Sequence, residues 1–174
     1  MSVAPPLLRL PVGVVIERRR ASSRWIDFIW RPVAVLPGQP DAAPWTMLSS
    51  DAEAEAATFY AGAADIALYR TETARYRENL DTGTPSLWVA ARPTRTEPPY
   101  DVIAVTADPS EGEAFTQVGD DLVEAVPMPA AVRVALERFV AEHHVEEVFH
   151  KRERDRADPE ALARRGSVRK DPAR

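Results

Sequence analysis

A succession of short apolar runs, each β-branched or alternating and each stopped by charge, proline or glycine, constrains this chain most. "PVGVVIERRR" (11–20) ends in arginines, and "WRPVAVLPG" (30–38) ends in Pro37-Gly38, a dipeptide that belongs in turns. "PWTMLSS" (44–50) reads as a third strand. "TFYAGAADIALYR" (58–70) has apolar stretches on both sides of Ala61-Gly62, which predicts a hairpin there. "SLWVAARP" and "YDVIAVTAD" flank the proline-rich "TRTEPP" and read as an antiparallel pair, and "DDLVEAV" adds a last strand. No run approaches the roughly 20 apolar residues that a membrane span requires.

Three helices fit between and after these strands. "TETARYRENLDTG" starts at Thr71 or Thr73, sets Tyr76 and Leu80 on one face, and closes near Gly83. "DPSEGEAFTQVG" offers Asp108 as N-cap, Pro109 at the first helical position and Glu111 three residues after the cap, with Phe115 and Val118 sharing an inward face. The longest begins near Pro129, where Val132, Leu136, Phe139 and Val140 form a stripe at helical spacing. Strands with interspersed helices and no regular βαβ alternation predict a single α+β domain over residues 10–149. Its sheet is expected to be mainly antiparallel and curled toward a partial barrel.

Hydrophobic residues are 45% of the 174 and charged ones 28%, the mixture of a globular protein. The absence of cysteine excludes disulfides, thiolate metal sites and thiol nucleophiles. Residues 150–174 hold nine Lys or Arg against five Asp or Glu, hence +4, which leaves −9 on the rest of a chain whose net charge is −5. A net acidic body therefore ends in a basic tail. With few large apolar residues beyond Leu162 and Val168, the tail over 150–174 is expected to be disordered. Glu153, Asp155, Asp158 and Glu160 interrupt its positive run and no aromatic is there to stack on bases, which argues against nucleic acid as partner. The opening residues carry adjacent prolines and no basic start, so a cytoplasmic location is expected.

All three histidines fall within "AEHHVEEVFHKRERDR" (141–156). A helix continued through this stretch would align His143, Glu147 and His150, an acceptable first shell for zinc. Val145, Val148 and Phe149 would then point away from the Leu136 stripe, so the economical reading ends the helix near His144. Docking of a partner, with Phe149 as anchor and Lys151, Arg152 and Arg154 as charged rim, is the remaining reading. In "RWIDFIWRP", Trp25 and Trp30 are separated by an odd number of positions, so one strand would place them on opposite faces and expose one as a partner-binding anchor. Asp27 is a candidate acceptor for an indole N–H.

Enzyme signatures are absent. No Gly-rich phosphate loop and no G-x-S-x-G elbow occurs, and seven glycines leave little material to wrap a pyrophosphate. No catalytic residue and no resident cofactor is assigned on these grounds.

The blocks "PVGVVIERR", "WRPVAVLPG", "APWT", "YRTETARYRENL", "PSLWVAARP", "VPMP" and "HHVEEVFHKRER" follow one another in an order that resembles an uncharacterised bacterial family. The genes of that family tend to lie beside molybdenum-dependent formate dehydrogenase genes, and the resemblance covers about residues 10–155. Some members carry the name molybdopterin-guanine dinucleotide biosynthesis protein A, although this chain lacks the glycine-rich, basic start that such a guanylyltransferase uses. The resemblance implies a non-enzymatic accessory or assembly protein whose partner is a formate dehydrogenase subunit or its maturation machinery. The alternative it leaves open is an enzyme or carrier that binds a metal such as Zn or a molybdopterin nucleotide.

Overall fold

The computed structural model describes residues 5–117 and 119–145. The chain divides into two compact units, Met1–His144 and Val145–Arg174; the fold lies in the first, and of the second only Val145 is among the described residues.

The first unit is an α+β domain of two antiparallel sheets and three helices. Strands β1 (Leu8–Arg20), β2 (Phe28–Pro37), β3 (Thr46–Asp51) and β4 (Ala56–Leu68) form a sheet in the order β2-β1-β4-β3. Strands β5 (Ser86–Pro93), β6 (Tyr100–Thr106) and β7 (Leu122–Pro127) form a second, in the order β6-β5-β7. β4 lies beside β6 and β2 beside β7 without a ladder between them, so the curl expected from the sequence stops short of a closed barrel.

β1 alternates without interruption and carries the inner face through Val12, Val14 and Ile16, all fully buried. Its register shifts fall on its neighbours. Val15 opposes Ala34 and Ile16 opposes Pro32, leaving Val33 as the extra residue of β2; Val14 opposes Gly62 and Val15 opposes Tyr60, leaving Ala61 as that of β4. Ala61-Gly62 is therefore a bulge in one long strand and not the tip of a hairpin. Both halves of β4 pair with the same β1, which leaves no second strand for the distal half to fold back on. Gly62 takes φ 151, a conformation that side chains with a Cβ rarely adopt. Gly38, at φ 77, donates its N–H to the Pro11 carbonyl and closes β2 as the Pro-Gly signal predicts.

Helix α1 (Thr73–Asp81) buries Tyr76 and Asn79. Neither threonine caps it: Glu72 holds the N-cap position without a side-chain bond, a 3-10 turn precedes it, and the Thr73 hydroxyl donates to the Arg70 carbonyl at 3.1 Å. In α2 (Pro109–Phe115), Asp108 caps as expected, its carboxylate accepting from Ser110 N–H at 2.8 Å. The buried face of α2 is Gly112, pressed on Trp88, while Phe115 is only half-buried and Val118 lies outside the described residues. Helix α3 (Ala130–His143) buries Val132, Leu136, Phe139 and Val140 as the stripe requires. It stops where the apolar phase breaks: His144 is extended and its N–H closes on the Val140 carbonyl.

Gly62 lies against Val102, and a groove of about 320 Å³ continues between Ala63, Ala64, Asp65, Ala67 and Tyr69 on one side and residues 102–106 on the other, so β4 and β6 run in the same sense. The three helices, which follow β4, β6 and β7, consequently leave from one end of the sheets and cover it. Among the described residues no helix is long and apolar enough to cross a membrane.

Candidate functional site

The end of the sheets away from the helices is built differently, because the strands are unequal. β1 and β4 run 13 residues each, whereas β5, β6 and β7 run 8, 7 and 6. The inner face of the longer sheet projects past the shorter one. Alternation along β1 places Arg18 and Arg20 on this face after Ile16, with Trp30 opposite Arg18 and Phe28 opposite Arg20 on β2, and Phe59 opposite Ile16 on β4.

The aromatic side chains form one cluster. Trp30 meets Trp45 edge-on at 5.8 Å, Phe59 at 5.9 Å and Tyr100 at 6.0 Å between ring centroids. Trp45 reaches it from a left-handed backbone, φ 67, whose N–H donates to the Tyr60 carbonyl; a non-glycine residue held so costs about 1 kcal/mol. Burial pushes the Tyr100 phenol up from its ordinary value.

Arginine lies over this cluster. The Arg18 guanidinium sits 4.6 Å from the Phe28 centroid, 5.5 Å from Phe59 and 5.9 Å from Trp30, and that of Arg20 sits 5.7 Å from Phe28. Such contacts stabilise by roughly 0.5–1 kcal/mol each at exposed sites. Among the described residues neither arginine has a carboxylate within ion-pair distance. Arg19, on the other face, pairs with Glu17 at 3.3 Å. Arg92, on β5, is fully engaged: two parallel bonds of 3.0 and 2.9 Å reach both oxygens of Asp121 and hold that carboxyl below its ordinary value. Among the described residues, Arg18 and Arg20 meet no carboxylate.

The β1–β2 connection extends this end. Trp25 is 94% exposed, and Ile26 and Ile29 are exposed beside it in sequence. Trp30 lies on β2 and packs, whereas Trp25 lies in the β1–β2 connection outside any strand, so its exposure comes from the loop and not from strand parity. Asp27 contributes its carbonyl, accepting from Ala21 N–H at 3.0 Å. Sequence reasoning missed Arg18, Arg20, Phe28, Trp45, Phe59 and Tyr100. For the arginines the signal was present in "VVIERRR", where a period of two continued from Val14 and Ile16 assigns Arg18 and Arg20 to the inner face.

At the helical end, His143 packs its ring 4.6 Å from that of Phe139 on the preceding turn of α3. The single hydroxyl hydrogen of Thr73 goes to Arg70, so the Thr73 oxygen accepts from His144 Nδ1–H at 3.1 Å. His144 Nε2 is buried and finds no partner among the described residues. No group of three or more metal-ligating side chains is gathered among the described residues. Glu147 and His150 of the zinc alternative, and Phe149, Lys151, Arg152 and Arg154 of the docking alternative, lie outside them, as does the basic tail 150–174.

Fold and site together define an open two-sheet α+β domain whose longer sheet presents an arginine-faced aromatic shelf. The chain matches the family described as "Protein of unknown function (DUF3305)" over residues 11–153, and it belongs to that family. No curated protein and no solved structure matches it.

Proposed function

We propose that this protein is a non-enzymatic accessory or assembly protein that acts by protein–protein interaction in the maturation of a molybdenum-dependent formate dehydrogenase. Its partner is a subunit of that enzyme or a component of its maturation machinery, met in the cytoplasm. The observation that carries the interaction is Trp25, 94% exposed in a connection that also exposes Ile26. Tryptophan is the side chain most enriched among residues that dominate binding energy, and a monomer gains nothing by leaving one in water. The setting rests on the block-by-block resemblance in sequence and on the gene neighbourhood of the similar family.

Co-purification of the tagged protein with the co-encoded subunits, with and without molybdenum cofactor, tests the proposal. Association that Trp25→Ala weakens about tenfold or more, with an unchanged melting temperature, is the expected result. Absence of association with every subunit in both conditions overturns it. Stoichiometric metal or pterin nucleotide retained by the purified protein overturns it in favour of a carrier or enzyme.

A further inference from the structure

We infer that the Arg18–Arg20 shelf recognises an extended acidic segment of a partner protein, one carrying carboxylates two residues apart. This deepens the proposed function and rests on its reading of the protein as a partner-binding one.

Both guanidinium groups lie over aromatic rings, Arg18 4.6 Å and Arg20 5.7 Å from the Phe28 centroid, and among the described residues no carboxylate meets their N–H donors. Five donors in a fixed fork match a carboxylate bidentately, the arrangement this same chain builds between Arg92 and Asp121. Spacing supplies the second constraint. Arg18 and Arg20 are successive residues on one face of β1, so their Cα atoms are about 7 Å apart. Alternate side chains of another extended chain have the same spacing. A partner segment laid along the shelf therefore presents one carboxylate to each guanidinium, and exposed Met47, opposite Phe59 on β3, gives its apolar residues a surface.

Charge decides which anion fits. Single-stranded nucleic acid also stacks on aromatic rings beside arginine. Around this shelf, however, Asp27, Asp51, Glu53 and Glu55 are all exposed, Glu55 is bonded through its carbonyl to Arg20 N–H, and the whole chain carries −5. A polyanion tracking along the surface meets these carboxylates at every step, whereas a segment with two carboxylates meets two arginines and little else. An acidic peptide is the occupant this balance favours.

The test uses the full chain and three fluorescently labelled probes read by anisotropy: a blocked peptide alternating Glu and Leu, the same peptide with Gln for Glu, and an oligothymidylate. The Glu peptide is expected to bind and to weaken with salt, the Gln peptide and the oligonucleotide to bind at least about tenfold more weakly. The double substitution Arg18→Gln with Arg20→Gln is expected to remove Glu-peptide binding. Arg18→Lys with Arg20→Lys keeps charge and fold but loses the fork, and is expected to lower affinity about tenfold. Equal binding of the Glu and Gln peptides, indifference to the Lys pair in a folded variant, or preference for oligothymidylate overturns the inference. Because no formate dehydrogenase subunit is used, its failure is distinct from that of the proposed function: peptide binding without subunit association leaves the shelf and sinks the setting, and the converse does the reverse.

Discussion

Asn79, 2% exposed, ties α1 to one end of the shorter sheet, where β5 begins and β6 has just ended. Its amide donates to the Ser86 carbonyl at 2.8 Å and the Ala107 carbonyl at 2.9 Å, and its oxygen accepts from Ser86 N–H at 3.0 Å. Alanine in its place would strand three backbone groups in a dry junction, and an unsatisfied buried group costs about 1–3 kcal/mol. Asn79→Ala is expected to lose about 3 kcal/mol in urea denaturation; a loss below about 1 kcal/mol would mean the junction admits water. Gly112 gives a prediction whose sign is contested. Inside an exposed helix, Gly→Ala gains about 1 kcal/mol. Here an added Cβ would stand 2.2 Å from Trp88 Cγ and 2.5 Å from its Cδ1, closer than van der Waals contact allows. Overpacking outweighs propensity, and Gly112→Ala is expected to destabilise by roughly 2 kcal/mol in thermal melts.

Among the elements, α1 makes stability depend on alkaline pH through Tyr76. The ring is 1% exposed, and burial pushes its phenol up to about 12 although Tyr69 N–H donates to its oxygen. In the unfolded chain the same phenol ionises near pH ~10. The folded state therefore holds the proton through the interval between, so this contribution is complete below about 10 and is lost as pH rises toward about 12. Denaturation midpoints should fall across that window, and Tyr76→Phe should flatten the fall while losing about 1 kcal/mol at neutral pH with the missing hydrogen bond. An equal alkaline slope in the variant would assign the loss to other groups. The elements also show where sequence signals hold. The Pro37-Gly38 stop, the Asp108 cap and the α3 stripe are local, and each appears where expected. Ala61-Gly62 misleads because a turn and a bulge ask for the same small residues, and only the partner strand distinguishes them. Thr71 and Thr73 mislead because a 3-10 turn takes the chain into α1.

At the scale of the molecule, the shelf exists because two sheets of unequal length share one core, a relation that no single segment encodes. Parity within "VVIERRR" assigns Arg18 a face; it does not say that the opposing sheet ends before reaching it. The same inequality predicts a gradient of local stability. β5 is the middle strand of its sheet, paired on both sides, with Leu87, Val89 and Ala91 buried toward Val14, Ile16 and Leu136 in one cluster. β3 is an edge strand with all six residues exposed, and residues 22–27 of the β1–β2 connection are all exposed. Amides protected by few buried contacts exchange through small openings, and those in the core through global unfolding. Native-state hydrogen exchange is therefore expected to rank peptides from β5, the middle of β1 and the buried stripe of α3 as slowest, with β3 and the β1–β2 connection faster by orders of magnitude. A ligand seated on Arg18 and Arg20 should slow the connection and the first residues of β2, and should also slow β5 by the factor by which binding stabilises the folded state, since β5 exchanges through global opening. Uniform protection of β3 and β5 would show that the longer sheet opens only as a unit, and the projecting end would then be as rigid as the core.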